Sequence, residues 1–210
     1  MEDKPMKKVK KQRLFRQMIG LFSLLFVTPF GSASDGWVKF TVEIKEGGIC
    51  KVRGGDVNRE IDLGIALAGD LQNMGQTAKE TSFDISVEEC GDLLNEPNKV
   101  KFVMISTRGN QTQLTQGILP NMLLTSANKD TVGVQLLKSD GHPVPIKWFA
   151  LPAAPEGLET KSNGDTLGAV ATQAHAFKLP LKARFYSLTN GLSNKAGAVQ
   201  AEFIFSAYYE

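Results

Sequence analysis

The chain has 210 residues, of which 42% are hydrophobic and 22% charged, and it contains only two cysteines. Its formal net charge of +2 is concentrated at the N-terminus, since residues 1–34 hold seven of the 24 basic and two of the 22 acidic residues, and the remainder carries −3. That remainder lacks the basic balance of a nucleic-acid-binding protein and is long enough for one domain with a sizeable core.

Residues 1–34 have the three parts of a secretory signal peptide. A head rich in Lys and Arg precedes the apolar run MIGLFSLLFVTPF at 18–30, and the small residues of 31–34 follow. The apolar run is shorter than the about 20 residues that a membrane-spanning helix needs. We therefore predict export and cleavage near Ser34. An uncleaved membrane anchor is the alternative.

Two cysteines, Cys50 and Cys90, lie in the exported part of the chain. Because export leads to an oxidising compartment, we predict that they form a disulfide. In the chain-entropy model, closing a loop of about 40 residues contributes roughly 4 kcal/mol. A metal site is the less favoured alternative, because two separated thiols without a nearby histidine make a poor zinc site.

Apolar and polar residues alternate along most of the exported chain, beginning with VKFTVEI at 38–44. Later segments place Ile61 and Leu63, and then Phe83, Ile85 and Val87, on single strand faces. We predict strands over 59–65, 82–90, 98–107, 131–146 (a hairpin turning at Ser139-Asp140-Gly141), 176–188 and 198–209. Residues 64–75 hold at most one short helical turn, and 151–174 form an irregular connection. This pattern is typical of an all-β sandwich.

Catalytic and cofactor-binding patterns are missing from the sequence. His142 lies beside Asp140 in a predicted turn, and His175 precedes a strand, so both are predicted to be surface residues. The sequence has no nucleophile elbow, phosphate-binding loop or zinc-protease motif. We therefore predict neither an enzyme nor a metal or cofactor site. Trp148 is predicted to lie in the core.

The last predicted strand has one strongly apolar face and no later strand to pair with. That face carries Ala201, Phe203, Phe205, Ala207 and Tyr209. An unpaired apolar edge must be covered, and two interpretations stay open. The segment 38–44 either folds back beside this strand in the same chain or is added to the groove of another molecule.

Together these features resemble the pilin subunits of chaperone–usher fimbriae. They are the alternating extension before the first cysteine, GGICKV around Cys50, SFDISVEEC ending at Cys90, the central GVQLLKSDG, and a C-terminal A-x-F-x-F-x-A-x-Y pattern after Gly197. The resemblance implies an incomplete immunoglobulin-like β-sandwich (the pilin fold) that lacks its final strand. It divides the chain into a signal peptide (1–34), an N-terminal donor-strand extension (35–46) and a pilin domain (47–210).

The resemblance also implies how such a chain is assembled. A periplasmic chaperone lends a strand to the groove, an outer-membrane usher receives the subunit, and the extension of a neighbouring pilin replaces the chaperone in the cell-surface fimbrium. The donor residues carried over to this chain are Val38, Phe40, Val42 and Ile44. The groove lies between the first strand after Cys50 and the final strand 198–209. Chaperone-facing residues are Ala201, Phe203, Phe205, Ala207 and Tyr209, with the carboxylate of Glu210 as anchor.

One departure from the family concerns Val42, where many members carry glycine. This departure favours a minor subunit of a fimbrium that contributes to cell adhesion. The alternative is a single-domain adhesin that binds a host glycan or receptor, with Trp148 and the connection 151–174 as its candidate surface. A periplasmic enzyme or chaperone is the other rival, and the missing catalytic residues and the single-domain length argue against it.

Overall fold

Alternating apolar residues give the chain strands that pack through their apolar faces. The computed structural model describes residues 33–42, 51–56, 58–89, 100–148, 167–173, 176–190 and 197–209. All of them belong to the compact unit Gly31–Glu210. The predicted signal peptide up to residue 32, both cysteines, Ile44, His175 and Glu210 lie outside the described residues, and so does most of the connection 151–174.

The described part of the chain is almost entirely β-structure. Its strands are β1 (Ala33–Val42), β2 (Lys51–Val52), β3 (Glu60–Leu67), β4 (Thr77–Glu88), β5 (Val100–Ser106), β6 (Ile118–Leu119), β7 (Val132–Lys138), β8 (Ile146–Trp148), β9 (Val170–Gln173), β10 (Ala176–Ser187) and β11 (Val199–Tyr209). One short helix, α1 (Gln111–Thr115), and 3-10 turns at Gly54–Asp56 and Ala68–Leu71 complete it. The turn at Ala68–Leu71 confirms the short helical turn predicted in 64–75.

These strands form two sheets. One has the order β3-β1-β11-β5-β8, and the other has the order β2-β4-β10-β7-β6, with β9 paired to β10. The core lies between them and includes the buried faces of β3, β4, β10 and β11. The predicted inward faces of β3 and β4 are confirmed, because Ile61, Leu63, Phe83, Ile85 and Val87 are all buried.

The predicted hairpin at 131–146 is only partly formed. Its turn is present, since the Gly141 N–H donates to the carbonyl of Lys138 at 3.0 Å and the Lys138 N–H donates to that of His142 at 2.8 Å. Pairing then stops after one bridge between Leu137 and Pro143. The chain crosses to the other sheet, where β8 runs parallel to β5. The strands and the turn were therefore predicted correctly, but the second strand, β8, pairs with β5 and not with β7.

Two segments differ from the sequence prediction. The end of the connection 151–174 forms β9, which pairs with the start of β10. Helix α1 was not predicted, although Asn110 caps it by accepting a hydrogen bond from the Gln113 N–H at 2.9 Å. A helix of five residues is too short to show helical periodicity in the sequence.

Candidate functional site

The inward face of β11 forms one wall of the candidate site. Val199, Ala201, Phe203 and Phe205 are buried, and the alternate residues Gln200, Glu202 and Ile204 are partly exposed. The ring of Phe205 stacks on Phe102 of β5, with ring centroids 5.4 Å apart. Of the residues predicted to face the groove, Ala207 and Tyr209 lie in β11 as well.

The groove beside this wall is occupied by β1 of the same chain. β1 runs parallel to β11, with Val38, Phe40 and Val42 as the register partners of Ala201, Phe203 and Phe205. On its other side β1 pairs antiparallel with β3. The segment predicted as a donor strand therefore folds back into its own chain here, which is the first of the two interpretations left open by the sequence.

On the side away from β11, β1 is flanked by β3, which corresponds to the predicted strand 59–65. The first strand after Cys50, β2, lies in the other sheet and pairs with β4. The pairing of β1 with β3 is interrupted after Gly36. There Gly64 has a φ of +68°, which suits glycine, and its N–H donates to the Asp62 carboxylate at 2.7 Å.

Gly36 lies where β1 runs directly against the core. A Cβ atom at this residue would be 2.3 Å from Cε1 and 2.6 Å from Cζ of Phe185, and 3.2 Å from the carbonyl oxygen of Val199. Phe185 belongs to β10 in the opposite sheet and is fully buried. Its ring therefore fills the space that a side chain of β1 would need at this level.

A loop from 120 to 131 fixes the start of β11. The buried Asn121 side chain donates from Nδ2 to the carbonyl of Ala198 and accepts from the N–H groups of Gln200 and Leu123, each at 3.1 Å. The Met122 N–H donates to the carbonyl of Gln200 at 2.7 Å. Asn121 was not among the predicted site residues, and the turn-rich composition of this loop was its only signal in the sequence.

Gly197, part of the C-terminal sequence pattern, packs against the same loop. A Cβ atom at Gly197 would be 2.9 Å from Oγ of Ser126. That hydroxyl donates to the carbonyl of Ala198 at 2.7 Å. A glycine here therefore lets the loop hold the first residues of β11, and with them the edge along which β1 pairs.

The titratable groups singled out in the sequence form no reactive cluster in the described part of the chain. Asp140 and His142 meet in an exposed turn, where the His142 N–H donates to the Asp140 carboxylate at 2.9 Å and lowers its pKa. The ranges that the structure describes contain no group of three or more potential metal ligands. No helix among them is long and apolar enough to cross a membrane.

Trp148 does not lie in the core, so that prediction was wrong. It ends β8, at the edge of its sheet, and the residue is half exposed (50%). In β8 only Ile146 is buried, whereas Lys147 and Trp148 are exposed. Trp148 lies two residues after the buried Ile146, and a strand of three residues is too short for alternation to predict which side chains are buried.

This arrangement of sheets, with a groove beside the C-terminal strand, defines a class of fold. The P pilus rod subunit PapA has a similar structure, with a TM-score of 0.53 and 13% identity over 78% of this chain and 100% of PapA. The likeness confirms the predicted pilin fold, an immunoglobulin-like sandwich. In this chain the position of the missing strand is filled by β1.

Sequence comparison assigns the chain to a family within that class. A family model described as "Fimbrial protein" matches residues 38–210. The chain belongs to this family, and its resemblance to the subunits of chaperone–usher fimbriae is confirmed. Because the family consists of structural fimbrial subunits, the prediction that the chain is not an enzyme agrees with its membership.

Two characterised relatives share parts of the chain. The minor fimbrial subunit HifD of Haemophilus influenzae is 32% identical over 114 residues, which are 54% of this chain and 50% of HifD. A fimbria adhesin protein of Klebsiella pneumoniae is 28% identical over 162 residues, which are 77% of this chain and 45% of the adhesin. The chain thus spans about half the length of these relatives.

Proposed function

We propose that this fimbrial subunit is polymerised by donor-strand exchange, in which its N-terminal segment leaves its own groove and enters that of a neighbouring pilin. The observation that carries this proposal is the occupation of the groove by β1. Residues 35–42 of that strand form the N-terminal end of the predicted mature chain, and residues 43–50 connect them to the domain. It can therefore leave without disturbing the order of the other strands.

Loss of β1 would open the core along β11. Val199, Phe203 and Phe205 are fully or almost fully buried, and their register partners lie in β1. Exposing three apolar side chains at 1.5–3 kcal/mol each costs about 5–9 kcal/mol, apart from the ladder hydrogen bonds. Since a whole domain is stabilised by only about 5–15 kcal/mol, an empty groove leaves the subunit close to unfolding.

This instability explains why assembly would need helper proteins. A periplasmic chaperone that lends a strand would cover the groove during transit from the inner membrane to an outer-membrane usher. In the fibre, the strand of a neighbouring pilin would take that place at the cell surface. Removing it would again cost most of the stability of the fold, and slow dissociation is what a mechanically loaded fibre requires.

Within the fibre we propose a minor rather than a major subunit. The bulky Val42 in the donor segment departs from the glycine common in the family. The relative HifD, which is described as a minor subunit, supports the same assignment. The predicted Cys50–Cys90 disulfide would tie the beginning of the domain to the end of β4.

Deletion of residues 35–45 tests strand exchange. We expect the truncated subunit, co-expressed with a fimbrial chaperone, to be recovered as a soluble one-to-one complex that cannot donate to a neighbour. Without the chaperone it should aggregate, and a peptide of residues 35–46 should restore a folded state. A truncated chain that folds alone as a stable monomer would show that the groove needs no donated strand.

The alternative function, a single-domain adhesin, is favoured by the exposed Trp148 at the sheet edge. An exposed indole ring presents an apolar face and a polar N–H, a combination suited to recognition surfaces. The Klebsiella relative, described as an adhesin, points the same way. If the chain is such an adhesin, replacing Trp148 with alanine should abolish adhesion of fimbriated cells without reducing fibre length. Shortened or absent fibres would assign the residue to assembly.

A further inference from the structure

We propose that Asp62 and Gly64 prevent strands of other molecules from pairing with the outer edge of β3. β3 lies at one end of its sheet, and among the described strands only β1 pairs with it. The inference goes beyond the proposed strand exchange, because it concerns the edge of β3 that faces away from the groove. Its consequence is that strand addition to this sandwich is restricted to the groove.

The four strands at the ends of the two described sheets differ in length. β2 and β6 have two residues each and β8 has three, whereas β3 has eight. A short edge strand offers few unpaired N–H and C=O groups, which is one way in which proteins avoid strand addition from outside. Of these four sheet ends, β3 is therefore the one whose length does not protect it.

A β-bulge at Gly64 divides this long edge into two short runs. Ile61 and Leu63 are buried at alternate positions. The next buried residue is Ala66 and not Ile65, so the inward face of the strand shifts by one residue. The pairing with β1 shifts at the same place, and Gly64 has a φ of +68°. Because a bulge bends the strand and interrupts the ladder, an extended strand added from outside would follow only one run at a time.

The Asp62 side chain stabilises the bulge. Its carboxylate accepts a hydrogen bond of 2.7 Å from the Gly64 N–H, two residues further on, as in an Asx-turn. That N–H is already used and is not free to donate to an added strand. Asp62 and Glu60 are both exposed, so the first run also presents two carboxylates. Charged side chains on an edge strand oppose the addition of a further strand.

The second run shows why the edge needs protection. Ile65 is 57% exposed and Leu67 is 52% exposed. A long, flat edge with exposed apolar residues is a site of aggregation. With valine in place of both Asp62 and Gly64, residues 61–67 would all be apolar. These two residues therefore separate a protected edge from an edge that is prone to pair with a second copy of the chain.

Substitution of Gly64 changes the backbone of the edge without a steric clash. A Cβ atom at this residue would meet no atom within 4 Å. Valine therefore acts there through the backbone, because a β-branched residue disfavours a positive φ and favours an extended strand. Asp62→Val removes the hydrogen bond to the bulge and one of the charges together.

The turn at Asp140 and Gly141 supplies a matched control outside β3. There too an aspartate carboxylate accepts a hydrogen bond from the N–H two residues further on, that of His142, at 2.9 Å. Gly141 has a φ of +88°, and a Cβ atom at this residue would also meet no atom within 4 Å. The same pair of exchanges can therefore be made in both places, and only one of them changes the edge of a sheet.

The experiment uses the mature chain with its groove closed by a disulfide. Thr41 and Ile204 are register partners in β1 and β11, and neighbouring strands lie within the distance range of disulfides. A chain with Thr41→Cys and Ile204→Cys, once oxidised, keeps β1 in its own groove. Association of this locked chain must then use another surface, so the result does not depend on strand exchange. We expect the locked chain to sediment as a monomer in analytical ultracentrifugation.

Adding Asp62→Val and Gly64→Val should shift the locked chain from monomers to dimers and larger species. Asp140→Val with Gly141→Val should leave it monomeric. Adding Ile65→Lys to the variant of β3 should restore the monomer, because lysine on an edge strand opposes pairing. A monomeric Asp62→Val, Gly64→Val chain would overturn the proposal. Equal association of the control, or association that survives Ile65→Lys, would overturn it as well.

Discussion

Replacing Asn121 with alanine should destabilise the start of β11. The buried Asn121 side chain makes three hydrogen bonds of 3.1 Å, to Ala198, Gln200 and Leu123. At a net 0.5–1.5 kcal/mol per bond, their loss should lower the free energy of unfolding by about 2–4 kcal/mol. The cost should exceed that of an exposed hydrogen bond because the Asn121 side chain is itself buried.

Urea unfolding of the mature, oxidised chain measures this effect, and Asn110→Ala is the matched control. Asn110 is exposed and makes one side-chain hydrogen bond of 2.9 Å, to the Gln113 N–H at the start of α1. Loss of such a cap costs about 1 kcal/mol. If Asn121→Ala lowers the free energy of unfolding no more than Asn110→Ala does, the loop does not hold β11. The role given to Gly197 and Ser126 in that contact would then be wrong as well.

Three further predictions concern the core, the exposed edge and the acid response. Phe205→Ala should lower the free energy of unfolding by about 3–5 kcal/mol, measured by urea titration, whereas Phe205→Leu should cost less than half as much. Trp148→Ala should change it by less than about 1 kcal/mol, because the residue is half exposed, and a larger loss would place the indole in the core after all. The lowered pKa of Asp140 means that its contribution to stability is present above the ordinary carboxyl pKa and is lost as pH falls through the folded value. Asp140→Asn should therefore show a smaller decrease in urea midpoint between about pH 5 and pH 2 than the unchanged chain, and an equal decrease would mean that other carboxylates account for it.

The faces of the long strands could be predicted from the sequence because each strand carries its own alternation. Ile61 and Leu63 in β3, and Phe83, Ile85 and Val87 in β4, were assigned to the core correctly. Alternation in β11 likewise identified Ala201, Phe203 and Phe205 as inward residues. Local pattern is sufficient here, since the period of a strand fixes which residues share a face.

Strand partners could not be obtained in the same way. The alternation of VKFTVEI is equally compatible with its own groove and with that of another molecule, because both offer the same edge of β11. The parallel pairing brings together residues that are far apart in sequence, such as Gly36 and Val199. The connection after Pro143 likewise crosses to the other sheet for reasons of packing that the local pattern does not contain.

Short elements and single polar contacts were also missed. Helix α1 has too few residues to show a period, and Trp148 ends a strand of three residues. Asn121 has no distinctive sequence context, and its role appears only when the loop packs against Ala198 and Gln200. Such contacts depend on which distant segments of the chain pack together, and the sequence neighbours of a residue do not reveal that packing.

The central claim, that the N-terminal segment lies in its own groove in the free subunit and in a neighbour's groove in the fibre, has a direct test. The chain with Thr41→Cys and Ile204→Cys is oxidised once as a free subunit and once within assembled fimbriae, and the products are separated without reductant. We expect the intramolecular bond in the free subunit and its loss in the fibre. An intramolecular bond of equal yield in the fibre would contradict strand exchange.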